Sequence, residues 1–402
     1  MRIVLFNLNN YIGGGEVYIL NFVRYLHENS IDYAAITYPK SYIEDECKEN
    51  GYNYLSWPTK NESYLYSKST EKKAIEIFFE SNFRKTDHFL ICNMRELYSF
   101  LTIRNNFYKI RYIQFKNILF HPEEYKYGSR LSLKSKKIED FNQDLLGTLD
   151  VFDLNIYPNQ NARNKSVKGI TREYNTFFPF PSFSNPKVQV KKDQHQGGPI
   201  KILTISRFVS FKISSILELI RVVKKNKNYE LTIIGYGRFK LLIQIYTFLG
   251  PRRIALVGKV NPNKIHDYIA ASDIGVAQGT SILQMTSTGL PTIISPYSKW
   301  YDFIIGKRTC SFGVFTKNNL EFGDKLTSEH RHILDFQSAI DKILFNYKFY
   351  RNESLEVTEY LNSDKIFNAL TRQIHLKIPN IDEHEFKVLK PSFLKRAIKS
   401  FL

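Results

Sequence analysis

Short apolar runs alternate with amphipathic segments along most of this chain. They do so in two series separated by one stretch with no period at all. In the first series RIVLFNL (2–8), YAAITY (33–38), HFLICN (88–93), IRYIQF (110–115) and FDLNIYPN (152–159) read as strands. The segment EVYILNFVRYLHEN (16–29) reads as a helix with Ile19, Leu20, Val23 and Leu26 on one face. Apolar runs this short, spaced by helical periods, are the pattern of βα units around a buried parallel sheet. The second series repeats it: IKILTISRF (200–208), YELTIIGYG (229–237), IALVGKV (254–260) and IGVAQ (274–278) as strands. Between them lie the helices ISSILELIRVVKKN (213–226), with Ile216, Leu219, Ile220 and Val223 at helical spacing, and NPNKIHDYIAASD (261–273). A further short helix and strand follow in AQGTSILQMTSTGLPTIIS (277–295).

Residues 181–199, PSFSNPKVQVKKDQHQGGP, lose this periodicity and gather Pro, Gly and charge, as a linker does. The expected organisation is therefore a first domain over 1–183, a linker over 184–199 and a second domain over 200–361. C-terminal helices and a basic tail would occupy 362–402. Two doubly wound α/β halves imply a ligand cleft lined by strand C-terminal ends. With 402 residues, each half can bury its own core.

Composition narrows the classes further. A 15% aromatic share argues against disorder. The three cysteines, Cys47, Cys92 and Cys310, have no metal-ligand spacing and fit buried thiols in a reducing compartment. No charged leader precedes the first apolar run, and no apolar window reaches the roughly 18 residues of a spanning helix. The expectation is a soluble or peripheral protein. A net charge of +18 attracts polyanions: nucleic acid, anionic lipid or phosphorylated sugars. Nothing resembles helix-turn-helix, zinc-finger or RNP spacing, so nucleic acid is not the expected partner.

The chemistry concentrates in the second series. In TISRFVSFK, Arg207 follows a strand and Lys212 opens a helix. A guanidinium and an ammonium on one βα loop suit a diphosphate, although the same two cations are equally consistent with solvated surface charges. Gly235 and Gly237 follow the next strand, where the backbone turns sharply or approaches a ligand. Gly279, Thr280 and Ser281 open a helix and offer amide and hydroxyl donors to an anion. All of these would gather at one edge of one sheet.

Residues 200 to 295 resemble the donor domain of glycosyltransferases with the GT-B fold, in particular those of family 4. SRFVSFK is similar to that family's loop on the donor diphosphate, and LTIIGYGR to its glycine turn. ALVGKVNPNKIHDYIAASDIGV is similar to its segment near the base, and GTSILQMTSTGLPTIIS to its ribose and sugar-phosphate segment. NYIGGGEVYILNFVRYL (10–26) resembles the glycine loop of the family's N-terminal domain. The resemblance implies two Rossmann-like domains and sugar transfer from a nucleotide diphosphate sugar, retaining and metal-independent. No cofactor is implied beyond that co-substrate, and no Asp-x-Asp pair occurs in the chain.

In this reading Arg207 and Lys212 stabilise the leaving diphosphate, and Gly14 and Gly15 let backbone amides approach it. His121 polarises the sugar or takes the acceptor's proton; a histidine hydrogen-bonded within its loop is the alternative. Glu123 and Glu124 read as surface charges. The sequence departs from the family pattern at two glutamates separated by seven residues. The nearest equivalents here are Gln278 and Gln284, with five residues between them. An amide still accepts a hydrogen bond, so Gln284 can hold a ribose hydroxyl, whereas Gln278 lacks the charge of a carboxylate.

The C-terminal KPSFLKRAIKSFL would place Phe393, Leu394, Ala397, Ile398, Phe401 and Leu402 on one helix face, with Lys395, Arg396 and Lys399 opposite. That composition suits an anionic membrane interface or a helix docked on the protein itself. YGSRLSLKSKK (127–137) is a second basic stretch. The leading expectation is a glycosyltransferase peripheral to the inner face of a membrane, acting on a lipid-linked or polysaccharide acceptor. A non-catalytic nucleotide-sugar or glycan scaffold is the alternative.

Overall fold

The computed structural model describes residues 2–9, 13–60, 68–84, 86–91, 100, 103, 114–118, 154–157, 176–177, 179–182, 198–298, 303, 306–323 and 333–375. The chain divides into two units, Met1–Phe180 with Ile366–Leu402, and Pro181–Lys365. His121, Glu123, Glu124, Cys92, the basic stretch 127–137 and the C-terminal tail lie outside the described residues. No helix of the described residues is long and apolar enough to cross a membrane.

The first unit is built on strands β1 (Ile3–Asn7), β2 (Tyr33–Thr37), β3 (Tyr54–Ser56), β4 (His88–Ile91), β5 (Gln114–Ile118), β6 (Leu154–Tyr157) and β7 (Thr176–Phe177). They form one sheet in the order β3-β2-β1-β4-β5-β6-β7, with every pairing parallel. Strands β1, β2 and β4 are buried along their whole length, which is why they read as unbroken apolar runs. Helices α1 (Gly14–Glu28), α2 (Tyr42–Asn50) and α3 (Ser69–Asn82) connect the first strands. Helix α2 has few apolar residues and is set by its ends. The Ser41 hydroxyl accepts from the Glu44 amide at 3.2 Å, and Gly51 closes the helix with φ of 68°. Strand β5 sits a few residues beyond the expected run at 110–115.

The second unit opens with β8 (Ile200–Ile205), then α4 (Ile213–Lys225), β9 (Tyr229–Ile234), α5 (Lys240–Phe248), β10 (Ile254–Gly258), α6 (Pro262–Ala270), β11 (Ile274–Ala277), α7 (Thr280–Thr286) and β12 (Thr292–Ile294). Its sheet runs β10-β9-β8-β11-β12, again all parallel. The chain moves outward from β8 through β9 to β10, then returns to place β11 on the other side of β8. The strand order therefore reverses between β8 and β11, the kind of crevice where doubly wound sheets bind ligands. Ile216, Leu219, Ile220 and Val223, the stripe read from the sequence, are all buried in this unit's core. Helices α8 (Phe336–Phe345) and α9 (Tyr347–Tyr360) complete it, and the Tyr347 hydroxyl donates to the Asp273 carbonyl at 3.1 Å.

Helix α10 (Ser363–His375) joins the first unit from Ile366 onward. It does so through aromatic packing: Phe367 lies 4.9 Å from the Phe22 ring and 5.6 Å from both Tyr18 and Tyr25, centroid to centroid. His88 Nδ1 donates to the Ile374 carbonyl at 3.0 Å, fixing the helix's last turn. Phe367→Ala removes the centre of this cluster. It should cost about 3–5 kcal/mol of stability in urea unfolding, the range for a buried Phe truncated to Ala.

Candidate functional site

The loop from Ser206 to Lys212 leaves β8 beside the strand reversal. Its conformation depends on Phe208, which is fully buried in the core of the second unit. The Phe208 amide donates to the Tyr236 carbonyl at 2.7 Å, and the Phe208 carbonyl accepts from the Phe239 amide at 3.2 Å. Ser206 adds a bond from its amide to the Ile234 carbonyl at 3.0 Å. The loop is thus sewn to the turn that follows β9.

This explains the two glycines. A Cβ at Gly235 would lie 1.8 Å from the Ser206 carbonyl oxygen, and one at Gly237 would lie 2.6 Å from the Phe208 carbonyl oxygen. Both distances are closer than non-bonded atoms approach. In this structure the close backbone approach that these glycines permit is to the loop carrying Arg207 and Lys212.

Arg207 is exposed, while Lys212 is half-buried at the residue that caps the N-terminus of α4. Burial, and then the neighbouring Arg207 charge, push the Lys212 ammonium down to about 8. No carboxylate pairs with it among the described ion pairs. It lines a small cavity with Thr204, Ser206, Ser215, Gln278 and Ser295, on the scale of a single water molecule. That lining contains hydroxyls and an amide but no acid.

Gln278 closes the cavity from the end of β11. Its side chain is buried, and Nε2 donates to the Gly323 carbonyl. This bond fixes which way the amide faces and leaves Oε1 buried with no hydrogen-bond partner among the described residues. A buried acceptor without a donor is costly, and such groups mark places where a ligand or water completes the set. A carboxylate in this position would face the Gly323 carbonyl oxygen with no proton to give. The amide therefore matches its surroundings, a fit with Gly323 that the sequence could not display.

Gly279, with φ of 69°, turns the chain from β11 into α7. On that helix Ile282, Leu283, Met285 and Thr286 are buried, whereas Thr280, Ser281 and Gln284 are half-exposed and share the remaining face. Because the sheet is parallel, the ends of β8, β9 and β11 lie along one edge. Arg207, Lys212, Gly235, Gly237, Gly279, Thr280, Ser281 and Gln284 are all carried by the segments leaving that edge.

Gly14 and Gly15 belong to the first unit, where they form the first turn of α1 rather than a loop before it. They neighbour a buried polar trio that sequence reading did not single out. Asn9 Nδ2 donates to Glu16 Oε1 at 2.6 Å, and the Asn9 amide donates to Asn7 Oδ1 at 3.0 Å. Glu16 lies in the first helical turn, where the helix dipole favours a carboxylate. An acidic residue just after the two glycines, ahead of the apolar stripe, was the available signal.

No family model and no curated protein sequence matches the chain. Solved structures do. HepE of Anabaena, in complex with UDP and glucose, superposes with a TM-score of 0.65 at 12% identity, covering 93% of this chain and 99% of its own. The lipopolysaccharide outer core galactosyltransferase WaaB, in its apo form, gives 0.61 at 13% identity, covering 93% and 99%. A TarM of S. aureus, in complex with Fondaparinux, alpha-GlcNAc-glycerol and UDP, gives 0.60 at 12% identity, covering 93% and 100%. The chain thus has the two-domain GT-B fold of glycosyltransferases.

Lys212 also makes a prediction about stability. Its folded pKa of about 8 lies below the ordinary value of 10.5, so the unfolded chain binds the proton more tightly between those limits. The destabilisation is complete below pH 8 and is relieved as pH rises toward 10.5. Lys212→Met should raise the melting temperature at pH 7 by a few degrees, about 2–4 °C per kcal/mol for a unit of this size. The advantage over wild type should shrink steadily between pH 8 and 10.5 in a differential scanning fluorimetry series.

Proposed function

We propose that this protein is a glycosyltransferase that moves a sugar from a nucleotide diphosphate sugar to a lipid-linked or glycan acceptor. The observation that carries the reading is the unneutralised Lys212, paired with Arg207 at the strand reversal of a GT-B donor unit. A half-buried ammonium with a depressed pKa and no carboxylate partner is a costly feature, and a bound diphosphate would offset it. Arg207, more exposed, would bind two further oxygens and follow the ligand as charge develops.

In the reaction the bond between the anomeric carbon and the diphosphate oxygen breaks, and its electron pair leaves with the diphosphate. Lys212 and Arg207 stabilise that growing charge. The acceptor hydroxyl oxygen forms the new bond to the anomeric carbon and gives up its proton. His121 is proposed to take that proton or to polarise the sugar. Gln284 accepts from a ribose hydroxyl, and the free Oε1 of Gln278 accepts from a hydroxyl of the donor. Thr280 and Ser281 supply hydroxyl donors to the phosphates, and Gly14 and Gly15, in the first turn of α1, are proposed donor-binding residues by the family resemblance. Retention of configuration, independence from metal and a peripheral position at the cytoplasmic face of a membrane belong to the same proposal.

One observation favours a second reading. Both positions nearest the family's glutamates are amides, which leaves a binding site without a carboxylate beside the anomeric carbon. A scaffold that binds a nucleotide sugar without turning it over would look the same.

Calorimetric titration with UDP, GDP, ADP and CMP tests the site. The HepE and TarM structures hold UDP, which makes uridine the base to try first. One nucleotide should bind at micromolar affinity, and Arg207→Ala should weaken it by about 10- to 100-fold, the loss of a charge-assisted bond. Affinity should also decline as pH rises past about 8, where Lys212 loses its proton. Lys212→Met should bind weakly and without that decline. Turnover of the matching nucleotide sugar separates the enzyme from the scaffold, and absence of binding by all four nucleotides would sink both donor-site readings.

A further inference from the structure

Helix α5 is apolar on both sides. Its inner side is fixed in the second unit: Ile243 is fully buried, and Phe239, Leu242 and Tyr246 pack against the same core. Its outer side should then be polar, as on any surface helix. Instead it carries Leu241, 69% exposed, Ile245, 47%, Phe248, 89%, and Leu249, 72%. These residues stand at positions 0, 4, 7 and 8 of the helical repeat and form one continuous stripe. A phenylalanine and a leucine left so open at adjacent positions are not scattered surface residues.

The chain segment that carries the stripe has charge of one sign. From Tyr236 to Val260 the chain contains five cations, Arg238, Lys240, Arg252, Arg253 and Lys259, and no Asp or Glu. Arg238, Lys240, Arg252 and Lys259 are exposed. Arg253 is turned inward, its guanidinium donating to the Val223 carbonyl at 2.9 Å. Helix α5 also leads into β10, an outer strand of the sheet, where Val257 adds another exposed apolar side chain. An apolar stripe set among unpaired-sign cations, in a chain of net charge +18, is the composition of a helix that lies in an anionic lipid surface. The chain's own C-terminal segment is apolar too, but it is equally basic, and like charge disfavours it as the cover.

We propose that α5, with its flanking Arg238, Lys240, Arg252 and Lys259, is the element by which this protein docks on an anionic lipid bilayer, burying Leu241, Ile245, Phe248 and Leu249 among the acyl chains. This assignment uses none of the donor-site residues and stands whether or not the chain transfers sugar.

The test is flotation of the full chain with phosphatidylcholine vesicles, with and without phosphatidylglycerol. A variant carrying Leu241→Ser, Phe248→Ser and Leu249→Ser, all at exposed positions, is run beside wild type. Wild type should float with the anionic vesicles and much less with the neutral ones, and binding should weaken as salt rises. The triple variant should lose about tenfold or more of its partition while keeping the wild-type melting temperature and nucleotide affinity. Those two controls separate this result from misfolding and from failure of the donor site. Wild type that ignores anionic vesicles, or a triple variant that floats like wild type, overturns the proposal. Equal partition onto neutral vesicles overturns the choice of an anionic surface. A wild-type dimer in sedimentation velocity that the triple variant converts to monomer would overturn it in favour of a second copy.

Discussion

The candidate site depends on where the loop after β8 is held. Phe208 anchors that loop from within, and its backbone bonds to Tyr236 and Phe239 tie it to the turn after β9. Everything that gives the site its character follows from this attachment. Arg207 is left outside the anchor and Lys212 just beyond it, at the head of α4 and beside a cavity rimmed by hydroxyls. The glycines after β9 are part of the same device, because any side chain there would strike the loop's carbonyls.

The cost of the arrangement is visible in two unfulfilled groups on opposite sides of the strand reversal. Lys212 is a cation that burial holds well below its ordinary pKa, and Gln278 has a buried oxygen with no donor among the described residues. A fold selected for stability alone would fill such a place with apolar side chains. The two groups are complementary to a ligand that brings negative charge on one side and a hydrogen-bond donor on the other, which the proposed sugar diphosphate would supply. The amide at Gln278 is held by the Gly323 carbonyl, an acceptor to which an ionised carboxylate could not donate.

The elements that the sequence displayed plainly are those whose burial follows one period. Strands β1, β2 and β4 read as apolar runs because parallel strands covered on both faces have no polar side. Helix α4 read as a stripe because its large apolar residues recur at helical spacing, with Ser214, Ser215 and Glu218 between them, although all residues from Ile213 to Ile220 are buried. Helix α5 was invisible for the opposite reason: Leu241, Leu242, Ile243, Ile245 and Tyr246 surround it on all sides, so no helical period emerges. Helix α2 was missed because capping rather than apolar content defines it.

The amino-acid sequence by itself determined the two α/β series, the basic charge, and the order of Arg207, Lys212, the glycine pair and the Gly279–Ser281 turn. Those features are local, and each is written in spacing or residue type. Only the tertiary structure decided what they do to one another. It turned Gly235 and Gly237 toward the loop of Arg207, placed Gly14 and Gly15 inside α1, and brought Gly323 to the Gln278 amide across a long stretch of chain. It also left the outer stripe of α5 in the open. The physical reason is that partnership and exposure belong to pairs of surfaces, and no window of sequence contains both members of such a pair.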